Sequence, residues 1–273
     1  MLTPIRNIVA TKVLREYTTQ GSGPLLVLGN DDQLYVAKFT DQQHPYRELI
    51  NEVICGYMAQ VWGLQVPEMA IITIPPHVAQ DFHYSSRYKE SFFEQPLFGS
   101  LLVELASDFS PYIGSLSKKE YQDFEYGPEL LLIGVFDLWI GNRDRKKSNP
   151  NILLSQNSDS GKFCFHPIDH TAAFAYQPYH KVRDAMVHVP ESIMDCGFVR
   201  SICRFENHKV LENLAGKVEI CIKNTLEELD YIFDQVPKDW GFSKKQRKKL
   251  KEFFEDEARN KRIAASYLSY LKK

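Results

Sequence analysis

The sequence is poor in the features that mark secreted, zinc-bound or membrane proteins. It has only five cysteines, an odd number, scattered along the chain with no Cys-x-x-Cys pair. This pattern argues against a disulfide framework or a zinc site and favours reduced thiols inside a cell. The densest apolar run, LLLIGVF at 130–136, is far shorter than the roughly 20 residues that span a bilayer.

A strong excess of one charge sign is also missing. The formal net charge is −2 over 273 residues, which gives no general attraction to nucleic acid or anionic lipid. The basic run KKQRKKLK at 244–251 is followed by EFFEDE, so we expect the solvated face of a helix beginning after Ser243. The N-terminal segment is charged throughout, unlike a signal peptide. These observations predict a cytoplasmic protein with no membrane partner and no direct nucleic-acid binding.

The first hundred residues are dominated by strand patterns. Two β-rich runs, 25–28 and 34–39, flank GNDDQ and predict a hairpin. Residues 46–63 have apolar side chains at helical spacing and end in a glycine. Strands are predicted over 66–74 and over SLLVELAS at 100–107.

Helical patterns dominate the rest of the chain. We expect a buried helix that starts near Pro128 and ends near Gly141. A β-rich half followed by a helical half predicts an α+β fold with two lobes, residues 1–106 and residues 107–273.

A polar loop, GNRDRKKSNPN at 141–151, follows the apolar helix. Phosphoryl transfer needs a base near the acceptor hydroxyl, metal ligands, and positive charge near the phosphates. Asp144 is the candidate base, and Lys146 is placed to neutralise charge on the moving phosphoryl group. Asn149 follows Asp144 by five residues, the spacing of the protein-kinase base and metal-binding Asn.

A hard cation also needs a carboxylate ligand, and Asp169 in FHPIDHT supplies one at the end of the next predicted strand. The β-rich half contains the remaining parts of such a site in kinase order. Lys38 lies in the strand YVAKF, and Glu52 in the following helix is its natural ionic partner. The segment Gly21–Gly23, GSG, lets backbone N–H groups approach phosphates closely.

These stretches resemble the HipA-like kinases, which have a protein-kinase-like and phosphoinositide-kinase-like fold. The resemblance rests on TTQGSGPLLVLGNDDQLYVAKF, NEVICGYMAQVWGLQVPE, WIGNRDRKKSNPNILL, PIDHTAAF and VPKDWGFSKKQRKKLKEFF. It implies transfer of phosphate from ATP, with Mg²⁺, most often to Ser or Thr of a protein. The best-known members are toxins that phosphorylate an aminoacyl-tRNA synthetase and are restrained by an antitoxin partner.

The resemblance also implies a role for each matching residue. Asp144 would be the base, and Asn149 and Asp169 would hold the metal. Lys38 would meet the nucleotide phosphates. The phosphate loop would consist of Gly21, Ser22 and Gly23, and the adenine would meet the backbone of Glu104, Leu105 and Ala106.

The sequence departs from the family pattern at several positions. Lys146 stands where the family usually has His, so the role of that position stays open. Asn151 competes with Asn149 as the metal ligand, and the spacing favours Asn149. We expect a short first lobe, without the extra N-terminal subdomain of the larger members. Ser22 is placed where family toxins can be silenced by phosphorylation.

Two other functions remain compatible with the residues. One is phosphorylation of a small molecule, since the acceptor pocket cannot be identified from the sequence. The other is a nucleotide-binding pseudokinase that acts as a regulatory module, although every residue needed for catalysis is present.

Overall fold

The computed structural model describes residues 2–17, 23–39, 46–84, 90–182 and 191–270. Gly21 and Ser22, predicted for the phosphate loop, lie outside these ranges.

Within the described ranges, five strands of the N-terminal half close into a barrel. Pairing is antiparallel around the barrel except between the first strand, β1 (Arg6–Glu16), and the fourth, β4 (Met69–Thr73), which pair in parallel and close the sheet. Closure leaves no free sheet edge. The side chains inside the barrel form their own apolar cluster, which includes Val27, Tyr35 and Ile72. The strands are β1 Arg6–Glu16, β2 Leu25–Gly29, β3 Leu34–Lys38, β4 Met69–Thr73 and β5 Leu97–Leu101.

Helix α1, Arg47–Val61, connects β3 to β4 and is buried from Leu49 to Ala59. Its apolar side chains belong to the large core formed with the C-terminal helices, rather than to the barrel interior. The chain turns out of the helix at Gly63, whose φ of 74° is in the left-handed region that favours glycine. A short helix α2, Pro76–Gln80, follows β4.

The C-terminal half surrounds the buried helix α4, Glu129–Ile140, which is apolar on nearly all sides and ends at Gly141. A three-stranded antiparallel sheet lies beside it. The sheet consists of β6 Ser107–Asp108, β7 Ile152–Gln156 and β8 Phe163–Pro167. The other helices are α3 Lys118–Tyr121, α5 Gly197–Phe205, α6 His208–Asp234, α7 Lys244–Phe254 and α8 Glu257–Tyr270.

Polar contacts join the end of α6 and the segment after it to the N-terminal half. Gln235 Oε1 accepts the backbone N–H of Ile5 at 3.1 Å, and the Trp240 indole donates to the Pro96 carbonyl at 3.0 Å. These contacts hold the start of β1 and the approach to β5 against the helical half.

The predicted α+β class is confirmed. The hairpin, the helix over 46–63, the helix from Pro128 to Gly141 and the Ser243 cap are all present. The strand predicted over 100–107 is wrong in its bounds, because β5 ends at Leu101. The chain then leaves the sheet and reaches a left-handed residue at Leu105, with φ of 52°.

The division into lobes at residue 106 stays a prediction. No helix of the described part of the chain combines the length and apolar composition required to cross a membrane.

Gly99 on β5 tests how tightly the barrel is packed. A Cβ added there would lie 2.3 Å from Ile72 Cγ1. We therefore expect Gly99→Ala to reduce the free energy of unfolding by about 1–3 kcal/mol in urea denaturation, although alanine restricts the unfolded chain more. Gly114→Ala is the control, since nothing lies within 4 Å of its added Cβ. Equal stability of Gly99→Ala and the wild type would contradict this packing.

Candidate active site

A cleft of about 810 Å³ lies between the barrel and the three-stranded sheet. Six of the twelve residues predicted for the site line it, together with apolar side chains from both halves. The polar lining comprises Lys38, Glu52, Ser100, Asp144, Lys146, Ser148, Asn149, Asn151, Asp169 and His170.

Lys38 at the end of β3 joins two carboxylates in this cleft. Its Nζ lies 2.5 Å from Glu52 Oε1 and 3.2 Å from Asp169 Oδ1. Glu52 is nearly fully buried on α1, and its other oxygen accepts the backbone N–H of His170 at 2.9 Å. One ammonium group therefore connects the barrel, α1 and the segment after β8.

The pKa values in this triangle follow from the balance of burial and charge. Burial would lower the pKa of Lys38, but attraction to Asp169 and Glu52 outweighs it and raises that pKa. Burial would raise the pKa of Asp169, but Lys38 and the hydroxyl of Thr171 lower it to about 2. Burial would also raise the pKa of Glu52, but the charge of Lys38 outweighs burial and lowers that pKa. All three groups are charged at neutral pH.

Asp144 lies in the loop after α4, and two amides bind one of its oxygens. Asn149 Nδ2 donates to Asp144 Oδ2 at 2.8 Å, and Asn151 Nδ2 reaches the same oxygen at 3.3 Å. The Asp144 backbone N–H donates to Asn142 Oδ1 at 3.1 Å. Among the described residues nothing donates to Asp144 Oδ1. That oxygen can therefore accept a hydrogen bond from the hydroxyl of a substrate.

A buried ion pair joins Arg145 in this loop to Asp137 on α4. Arg145 Nε lies 2.8 Å from Asp137 Oδ2, and both side chains are almost completely buried. The Arg145 guanidinium also donates to the carbonyls of Asn151 and Ile168. Burial raises the pKa of Asp137 despite the attraction of Arg145. Arg145 thus fixes the loop against the strand end that precedes Asp169.

The side-chain oxygens of Asn149 and Asp169, which both line the cleft, are of the type that a hard cation prefers. Asn149 uses its amide N–H₂ on Asp144, which leaves its amide oxygen for another ligand. Asp169 has φ of 61° and uses Oδ1 for Lys38 and for the Thr171 hydroxyl at 2.7 Å, so Oδ2 is left. Among the described residues no group of three or more His, Cys, Asp or Glu side chains could hold a metal. A cation with two protein ligands is completed by phosphate oxygens and water, as is usual for Mg²⁺.

The cleft also has apolar lining, which includes the end of β5 and the residues just after it. Leu101, Leu102 and Val103 line it, with Val36 and Leu153. Glu104, Leu105 and Ala106, predicted to meet the adenine, are not among the lining residues, and the Leu105 side chain is fully exposed. The adenine contact of residues 104–106 therefore stays a prediction, and residues 101–103 are the neighbouring backbone that lines the cleft.

Two further predicted positions flank the cleft. Gly23 has φ of 56°, and the next residue, Pro24, lines the cleft. Lys146 lies on the rim, with its Nζ 3.9 Å from Glu191 Oε2. Its backbone exchanges two hydrogen bonds of 3.0 Å with Asn149, which folds the loop into a tight turn. The choice between Asn149 and Asn151 as a metal ligand stays a prediction, with Asn149 making the shorter bond to Asp144.

Sequence reasoning missed Arg145 and Asn51. A lone acid, Asp137, in the apolar helix α4 required a buried partner, and Arg145 eight residues later was the available cation. Asn51 next to Glu52 interrupts an otherwise apolar buried face of α1, which is the signal that a buried polar side chain leaves in a sequence.

Comparison with known proteins gives one family and several structures. A family model described as HipA-like kinase matches residues 10–266. The crystal structure of the Helicobacter pylori proinflammatory kinase CtkA superposes with a TM-score of 0.60 at 14% identity, covering 98% of both chains. The Golgi casein kinase gives a TM-score of 0.46 at 15% identity, over the whole of this chain and 73% of that one. No curated protein matches the sequence. The fold is therefore kinase-like.

Replacing Lys38 tests the charge balance of the cleft. In the wild type the lowered pKa of Asp169 adds stability above the ordinary carboxyl pKa near 4, and this contribution is lost only as the pH falls towards about 2. In Lys38→Met the buried Glu52 and the partly buried Asp169 lose their cation, and their charged forms become less favourable. We expect its stability deficit relative to the wild type to grow between about pH 5 and about pH 8.

Urea denaturation at the two pH values measures this deficit, with Lys38→Arg as the charge-preserving control. A deficit in Lys38→Met that is the same at both pH values would contradict the assignment.

Breaking the buried ion pair tests the support of the loop. Arg145→Met leaves the Asp137 carboxylate buried without a cation, and we expect a loss of about 3–5 kcal/mol in unfolding free energy. The double variant Asp137→Asn with Arg145→Met removes the stranded charge and should recover part of that loss. A double variant no more stable than Arg145→Met would show that the stranded charge is not the cause.

Proposed function

This chain belongs to the HipA-like kinase family, and we propose that it transfers the γ-phosphate of ATP, with Mg²⁺, to a Ser or Thr hydroxyl of a protein. The observation that supports this most is that Lys38, Asp144, Asn149 and Asp169 line one cleft together with apolar side chains. Charged groups for the phosphates and an apolar surface for the adenine are the two requirements of a nucleotide site.

Asp144 acts as the base in this proposal. Two amide N–H groups hold its Oδ2, which fixes the carboxylate plane and directs Oδ1 to the acceptor hydroxyl. A general base must lie within hydrogen-bond reach of the proton it accepts, so this fixed orientation contributes directly to the rate.

Lys38 binds the nucleotide phosphates, and Glu52 holds it in place. The ammonium is already charged and oriented, so nucleotide binding requires little rearrangement. Asn149 and Asp169 hold the Mg²⁺, which neutralises charge on the phosphates when bound. Lys146 at the rim adds a positive charge near the group being transferred.

A protein acceptor is favoured by the surroundings of Asp144. Its loop neighbours Arg143, Lys147 and Ser148 are exposed, so a polypeptide hydroxyl reaches the base without entering a closed pocket. A small-molecule acceptor would need enclosing walls on this side. An aminoacyl-tRNA synthetase as substrate and an antitoxin-type partner stay predictions from the family resemblance.

The test is transfer from γ-labelled ATP with Mg²⁺ to proteins of a cell lysate, with Asp144→Asn beside the wild type. We expect Asp144→Asn to lower transfer by at least about 100-fold, because the amide cannot accept the proton, while ATP binding measured by calorimetry is retained. Asp159→Asn, an exposed position in the β7–β8 turn, is the matched control and should keep full activity.

Labelling that persists in Asp144→Asn would contradict the base assignment. Tight ATP binding by the wild type without any labelled protein would favour the pseudokinase or small-molecule alternatives instead.

A further inference from the structure

Asn51 on α1 is a buried polar side chain that the proposed mechanism does not use. Only 1% of it is exposed, and its Nδ2 donates to the Thr171 carbonyl at 2.9 Å and to the Ala173 carbonyl at 3.4 Å. These carbonyls belong to the segment that directly follows Asp169. A helix side chain with both amide hydrogens on one short segment restrains that segment strongly.

Tyr179 completes this arrangement from the other side. Its hydroxyl donates to Asn51 Oδ1 at 2.8 Å, and its side chain is buried. Burial raises the pKa of Tyr179 well above its ordinary value, so the hydroxyl keeps its proton. The bond fixes the amide plane of Asn51, with its N–H₂ group towards the two carbonyls.

Residues with left-handed backbone conformations lie on both sides of the segment 170–173. Asp169 before it has φ of 61°, and Phe174, Ala175 and Tyr176 after it have φ of 58°, 52° and 58°. Left-handed conformations are sparsely populated by residues other than glycine, and they persist where surrounding contacts impose them. Asn51 supplies such contacts to the residues between Asp169 and Phe174.

Glu52, the next residue of α1, binds the same segment at its start through the His170 N–H and binds Lys38 as well. Two consecutive residues of α1 therefore form hydrogen bonds to the backbone of residues 170–173. A displacement of this segment would move Asp169 relative to Lys38 and Asn149.

We infer that Asn51 is a positioning residue and that Asn51 and Tyr179 together form a latch, which holds residues 171–173 against α1 and thereby places Asp169 for its cation. The inference deepens the proposed function, because it takes Asp169 as the metal ligand. The latch itself is a property of the protein without ligands and can be measured in that state.

The first experiment measures backbone amide hydrogen exchange of residues 170–177 in ligand-free protein. Asn51→Ala should accelerate exchange at Ala173 and Ala175 by about tenfold or more, because two hydrogen bonds to the segment are lost. Asn260→Ala is the matched control: Asn260 also donates to a backbone carbonyl, that of Phe254 at 2.8 Å, and accepts from an aromatic side chain, Trp139 Nε1 at 2.9 Å. It should leave this exchange unchanged.

Tyr179→Phe tests whether the two residues act as a unit. We expect a smaller acceleration in Tyr179→Phe than in Asn51→Ala, and no further acceleration when Tyr179→Phe is added to Asn51→Ala. Effects that add in the double variant would overturn the latch. Unchanged exchange in Asn51→Ala would overturn it as well.

The second experiment measures the Mg²⁺ concentration needed for half-maximal ATP binding, by calorimetry. Asn51→Ala should raise it by about tenfold, whereas Asn260→Ala should not. A shift of equal size in both variants would reduce Asn51 to a general structural role. If the wild type binds Mg²⁺ and ATP in this way but transfers no phosphate, the latch stands and the proposed function falls.

Discussion

The buried pair of Asp137 and Arg145 is the constraint on which the candidate site depends. A guanidinium with no exposed side-chain surface is tolerated only if it is paired and its N–H groups are bonded. Arg145 is paired with Asp137 through Nε, and its Nη1 donates to the carbonyls of Asn151 and Ile168, while its buried Nη2 has no partner among the described residues. The same bonds tie the loop of Asp144 to the strand that leads to Asp169. The folding requirement of one buried charge therefore produces the spacing between the proposed base and the proposed metal ligand.

A second set of interactions holds the barrel against the loop of Asp144 and the segment of Asp169. Lys38 on β3 and Glu52 on α1 form a buried pair that also contacts Asp169, while the rest of α1 is embedded in the core of the C-terminal helices. The hydrogen bond from the Ile5 N–H to Gln235 also joins the start of the barrel to the end of α6. Because α1 is part of the large core, Glu52 is held towards Lys38 without any ligand. This charged cleft is preorganised, which is the main electrostatic contribution that a phosphotransfer site requires.

The sequence allowed much of this arrangement to be predicted, and its limits are physical. The interval from Asp144 to Asn149, the Lys38 strand and the Glu52 helix are local patterns, and the structure places all four side chains in one cleft. Gly141 marked the end of α4 because a left-handed helix end favours glycine. The adenine contact of residues 104–106 stays a prediction. The strand predicted over 100–107 extended too far along the chain, because β5 ends at Leu101. An apolar run continues past Leu101, so composition alone does not show where pairing stops. Arg145 and Asn51 each left a sign of a buried polar side chain in the sequence, but their bonds to the carbonyls of Ile168, Thr171 and Ala173 join residues too distant in sequence to be predicted from it.

The proposed function requires Asn149 and Asp169 to meet at one cation beside the phosphates of a nucleotide bound between Lys38 and the backbone of residues 101–103. The most direct measurement is a crystal structure with a non-hydrolysable ATP analogue and Mn²⁺, with the metal located by its anomalous signal. We predict a Mn²⁺ peak between the amide oxygen of Asn149 and Asp169 Oδ2, with the base of the analogue against Val36 and Leu153. A peak held by Asn151 in place of Asn149, or a nucleotide bound outside this cleft, would contradict the account.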